Sequence, residues 1–180
     1  MQALRDGGPD LSIDDLASAA GVSKPVLYDE FGGKLGIADA IALVLAEDLE
    51  FTVLGEIATL DSFDIDVVIR SAIDSLIAII VREPELYAFL VRSIRAGVRG
   101  FLDNALVRVV RDRASAIIGL AAPNAPADHV AVLTDGLFGF VFAAVESWQV
   151  THEPERDELV RALSTVIRRG VQALAEELSD

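Results

Sequence analysis

The sequence predicts an all-α protein with a small amino-terminal helix-turn-helix head and a larger helical body. Three observations predict it. Apolar residues recur at helical spacing along nearly the whole 180-residue chain. The breaks between these runs fall at Gly or Pro, the residues that stop helices. No stretch alternates apolar and polar side chains as a half-exposed strand does, and no internal repeat appears.

The first helix is short, with only residues 2–6 standing ahead of Gly7 and Gly8. Ser12 begins the next helix, and Asp15 completes a Ser-x-x-acid capping box. Ile13, Leu16, Ala17 and Ala20 share one face of that helix, and Gly21 occupies the stop position. Ser23 then caps a further helix with Pro25 in its first turn and Val26, Leu27 and Phe31 on its apolar side. So short a Gly turn between two helices makes a helix-turn-helix, whose second helix is shaped for a DNA major groove. Gly32 and Gly33 precede a long helix from Lys34 to about Leu54. Further helices follow at 65–82, 85–93, 101–120, 128–151 and 155–178, giving eight or nine in all.

Composition narrows the function. The chain is 52% hydrophobic, has no cysteine and contains only two histidines, His129 and His152, without metal-ligand spacing. Gly-x-Ser-x-Gly is absent, and Gly33-Lys34-Leu35 lacks the Ser or Thr of a phosphate loop. The expectation is a protein that is not an enzyme and needs no cofactor or metal. No uninterrupted apolar run reaches the roughly 18 residues of a bilayer span, so a soluble, cytoplasmic protein without a membrane partner is expected. Arginines at 92, 95, 99, 108, 111 and 113 read as a solvated face that balances acidic neighbours, the alternative being a site for an anionic ligand or phosphate.

The wording of residues 11–46 is more specific than a generic helix-turn-helix. Leu-Ala-x-Ala-Ala-Gly-Val-Ser-Lys-x-x-Leu-Tyr-x-x-Phe-x-x-Lys resembles the DNA-binding domain of the TetR family of transcriptional regulators. The resemblance implies a DNA head at residues 1–50 and a helical effector-binding and dimerisation domain at 51–180. By position, Ser12, Ser23, Lys24, Pro25, Tyr28 and Lys34 are the expected DNA contacts. Tyr28 matches the family's backbone-contacting Tyr, and Lys34 adds charge to a helix end suited to phosphate. The family's layout implies an effector pocket, for which Ile73, Ile77, Tyr87, Leu90, Leu106, Phe138, Phe142 and Trp148 are the expected lining. Asp74, Ser75, Ser93, Asn104 and Asp135 are polar residues on apolar faces that would orient a ligand or face water. The last two helices resemble the family's dimer-forming pair. Gly136, Gly139, Ala143 and Ser147 form a small-residue stripe on one, and Leu163, Ile167, Gly170 and Leu174 an apolar face on the other. The implied function is a ligand-responsive homodimeric repressor, released from an operator in double-stranded DNA by a small hydrophobic effector.

Two features depart from the family's pattern. The first helix is truncated relative to it. Residues 1–50 carry three basic side chains, Arg5, Lys24 and Lys34, against ten acidic ones, whereas DNA-binding domains usually present a basic footprint. Asp29 and Glu30 even lie on the recognition helix. An alternative reading follows: a helical ligand-sensing or protein-binding dimer whose head is not competent for DNA.

Overall fold

A computed structural model describes residues 1–59, 64–96 and 105–177. Among these, every regular element is a helix: α1 (Gln2–Gly7), α2 (Ile13–Ala20), α3 (Lys24–Phe31), α4 (Lys34–Ile57), α5 (Ile65–Arg82), α6 (Pro84–Ala96), α7 (Ala105–Ala121), α8 (Ala127–Thr151) and α9 (Arg156–Glu177). The all-α expectation therefore holds. α4 runs one turn further than its apolar pattern suggests. Residues 101–104 and 178, expected in the two helices at 101–120 and 155–178, lie outside the described residues.

The helix boundaries follow local chemistry. Ser12 Oγ accepts from the Asp15 amide at 3.2 Å, and the Asp15 carboxylate accepts from the Ser12 amide at 2.8 Å, closing the capping box. Gly21 ends α2 in the left-handed region (φ 68°), where a side chain would be strained. Gly36 has a different reason: a Cβ there would collide with the carbonyl oxygen of Phe31, so only Gly lets α4 begin this close to the end of α3. Pro84 opens α6, and the Glu83 carbonyl accepts from the Tyr87 amide at 3.0 Å.

The chain forms two compact units. The first comprises Met1–Asp48 and Ala78–Val109, so it joins α1–α3 and most of α4 to α6. Leu4, Ile13, Leu16, Ala17, Leu27 and Ile41 are buried in it, as are Leu86, Phe89 and Leu90 of α6. Ion pairs rim this core. Arg5 grips Glu83 with two hydrogen bonds, Nε–Oε2 at 2.7 Å and Nη2–Oε1 at 2.8 Å. Arg92 pairs with Asp10, Arg82 pairs with Asp48, and the Lys34 ammonium stands 5.2 Å above the Phe89 ring.

The second unit comprises Leu49–Ile77 and Val110–Asp180. Ile118, Val130 and Val171 bring α7, α8 and α9 together, with Leu137, Ile167 and Leu174 packed around them. Trp148 closes the carboxyl end of α8, its indole N–H donating to the Pro154 carbonyl at 2.9 Å. By length and composition alone α8 could cross a bilayer. Within this unit it has another use. Val130, Thr134, Val141, Val145 and Trp148 face inwards, and Asp135 stands 3.6 Å from Arg111.

Candidate nucleic-acid interface

α3 is anchored by one side chain. Leu27 is buried, whereas Ser23, Lys24, Pro25, Val26, Tyr28, Asp29, Glu30 and Phe31 are all exposed. Eight residues are too few for a helix to persist alone in water, so α3 depends on Leu27 and on its packing with α2. What remains outward is a complete helical surface with the breadth to enter a major groove.

The expected DNA contacts are in different states of readiness. Ser23 is the N-cap of α3, yet its hydroxyl makes no capping bond. Pro25 and Tyr28 are exposed beside it. Lys24 donates to Asp14 Oδ2 at 2.9 Å, and that hydrogen bond raises its pKa above the ordinary lysine value. The one cation of the recognition helix is thus already paired. Ser12 is engaged in the capping box, whose hydrogen bonds hold the Asp15 carboxyl below the usual range. Lys34 is half-buried on Phe89. Arg5 and Arg92, which are not among the expected DNA contacts, are likewise held by Glu83 and Asp10, and those guanidiniums lower both carboxyl pKa values.

Comparison with known proteins bears on this head directly. Residues 1–41 match the family model described as bacterial regulatory proteins, tetR family. Residues 1–41 are thus similar to the DNA-binding domain of the tetR family. The TetR-type fold extends further than the matched residues. The crystal structure of the TetR family repressor AlkX from Dietzia sp. strain DQ12-45-1b, implicated in biodegradation of n-alkanes, superposes with a TM-score of 0.67. It is 20% identical over 97% of this chain and 91% of its own length, a likeness that shows the fold. No curated protein matches. The match coincides with the helix-turn-helix and supports DNA binding by this part of the chain.

In the second unit Ile73 and Phe138 line one apolar cavity of about 120 Å³ with Ala72, Leu76, Ala114 and Leu137. Of those extra residues, Leu76 lies one helical turn from Ile73 on α5, Ala72 and Leu137 adjoin Ile73 and Phe138 in sequence, and Ala114 comes from α7. Thr134 is its polar member, and its hydroxyl already donates to the Val130 carbonyl at 2.7 Å. The other expected pocket residues do not line this cavity. Ile77 is fully buried, Phe142 half-buried, and Trp148 sits at the end of α8. Tyr87 and Leu90 are core residues of the first unit, and the Leu106 side chain lies outside the described residues. Of the polar candidates, Asp74 pairs with Arg156 at 2.7 Å and Ser93 donates to the Phe89 carbonyl at 2.8 Å, while Asn104 lies outside the described residues.

The expected dimer residues divide by helix. On α8, Gly136, Ala143 and Ser147 are exposed and Gly139 half-buried, in a stripe with Val132, Phe140 and Val150. A Cβ at Gly136 or Gly139 would meet nothing, so nothing within the unit occupies that side. On α9, Leu163 is buried, Ile167 and Leu174 pack on the Ile118–Val130–Val171 cluster, and Gly170 faces Leu137. Those four positions belong to the unit's own core, and the exposed side of α9 carries Ala162, Val166, Arg169 and Ala173 instead.

Proposed function

We propose that the chain acts as a homodimeric, ligand-responsive repressor. The observation that carries the reading is α3: exposed at every residue but Leu27, in a head that matches the tetR family description. Two such helices, related by a two-fold axis, reach successive major grooves about 34–36 Å apart. Ser23, Lys24, Pro25 and Tyr28 take the base edges and flanking phosphates, with Ser12 and Lys34 at the margin. The α8 stripe supplies the dimer contact, because small residues let a partner helix approach closely while Val132, Phe140 and Val150 add apolar area. The head is residues 1–50 and the effector and dimer part 51–180.

The effector is a small hydrophobic molecule held at the Ile73–Phe138 cavity. Apolar cavities of this order accept compact hydrocarbons, and the n-alkane context of the TetR repressor with a like fold agrees with an apolar ligand. Its binding favours a dimer whose heads no longer fit successive grooves. A band shift with the DNA upstream of the chain's own gene, at two salt concentrations, tests the reading. Retarded DNA that is released by an apolar compound supports it. Absence of retardation at both salts, from a dimeric protein, favours the second reading of a sensing dimer without a competent head, which the acidic residues 1–50 and the Lys24–Asp14 pair motivate.

A further inference from the structure

The second unit contains a groove that none of these roles uses. It measures about 630 Å³, within the range of small-molecule sites, and runs between the amino-terminal halves of α5 and α9 with Glu56 of α4 at its edge. Its walls are charged. Asp66, Arg70 and Asp74 stand one turn apart on α5, and Asp157 and Arg161 one turn apart on α9.

Most of that charge has a structural explanation. Asp74 pairs with Arg156 at 2.7 Å and Asp66 with Arg168 at 3.6 Å. Asp66 and Asp157 also occupy first helical turns, where the helix dipole favours a negative side chain. Arg70 and Arg161 have no such account: among the described residues neither guanidinium makes an ion pair or a hydrogen bond, the Arg161 carbonyl alone accepting from the Thr165 hydroxyl. Ser71 is the second observation. It lines the groove, is 4% exposed, and its hydroxyl has no hydrogen-bond partner among the described residues. A buried hydroxyl without a partner costs stability, and Ser elsewhere in this chain avoids that cost by bonding a carbonyl one turn back, as Ser164 does at 2.7 Å.

Once the two internal pairs are set aside, Arg70 and Arg161 are balanced by Glu56 and Asp157. A lone anion in the groove would meet two uncompensated carboxylates, and a lone cation two uncompensated guanidiniums. A molecule carrying both charges meets neither penalty. We propose that this groove binds a small zwitterion, its carboxylate held by Arg70, Arg161 and Ser71 and its ammonium by Glu56 and Asp157. Guanidinium–carboxylate geometry supplies the orientation. The site is separate from the apolar cavity and does not depend on the head's competence for DNA.

Isothermal titration of the full chain with γ-aminobutyrate and ε-aminocaproate tests it, with caproate and hexylamine as controls of one charge each. At least one zwitterion binds, each control binds about tenfold or more weakly, and Arg70→Gln and Arg161→Gln each weaken zwitterion binding about tenfold or more. Both arginines are exposed, so helical circular dichroism of these variants stays that of the parent chain. Ser71→Ala weakens binding by roughly threefold to tenfold. No heat from either zwitterion, equal binding of a control, or binding indifferent to both arginine substitutions overturns the proposal.

Discussion

Leu27→Ala isolates the dependence of DNA recognition on a single buried side chain. Leu27 is 8% exposed and is the sole buried residue of α3. Removing its distal carbons forfeits their transfer free energy and leaves a void between two eight-residue helices. A fully buried Leu→Ala change costs about 2–5 kcal/mol. α2 and α3 are short and close to the surface, so partial collapse brings the figure here to about 2–4 kcal/mol. At 1.4 kcal/mol per tenfold, the population in which α3 is detached rises roughly 30- to 700-fold. The α8 stripe belongs to the other compact unit and is left as it was. Hydrogen–deuterium exchange of the α3 amides should therefore accelerate by that factor, while exchange in α8 and the sedimentation coefficient stay constant. Operator affinity falls with α3 protection. Unaltered exchange in α3, or operator affinity within twofold of the parent at full loss of α3 protection, would refute the anchoring argument.

Other outcomes follow from particular contacts. Asp14→Asn frees Lys24, so operator binding strengthens and the log–log salt slope of a dimer steepens by up to about two, near 0.9 per phosphate contact; band shifts across a salt series read it. Glu83, Asp10 and Asp15 all have pKa values lowered in the fold, by Arg5, Arg92 and Ser12 respectively. A carboxyl lowered on folding contributes stability above its unfolded value, and that stability is lost as pH falls through its folded value. Thermal melts should thus drop from about pH 4.5 downward, and Glu83→Gln should flatten part of that drop while lowering stability at pH 7. Phe140→Glu places a charge on the exposed α8 stripe and should weaken dimerisation at least about tenfold in analytical ultracentrifugation. Ala114→Leu fills the 120 Å³ cavity; operator binding should persist while release by apolar compounds disappears.

The head was legible because its signals are local. A capping box spans three residues, a left-handed Gly stop occupies one, and a Pro is tolerated only in a first helical turn, so Ser12–Asp15, Gly21 and Pro25 could be read in order along the chain. The helical periods of the body were legible for the same reason. Which face of each helix turns inward was not. α9 has apolar residues on more than one side, and only packing against α7 and α8 assigns Leu163, Ile167 and Leu174 to the core and leaves Ala162 and Val166 outside. Tyr87 and Leu90 share the apolar spacing of Ile73 and Ile77, yet they are buried in a different unit.

Sequence alone thus determined the helices, the turn that makes a DNA-reading pair, and the excess of acid in residues 1–50. Tertiary structure decided how that charge is used. Lys24 meets Asp14 ten residues away, and Arg5 meets Glu83 seventy-eight away. The partner of a charge depends on chain folding through space rather than on spacing along the chain. So does the juxtaposition of Arg70 and Arg161 with the buried Ser71 hydroxyl, which no periodicity of α5 or α9 by itself contains.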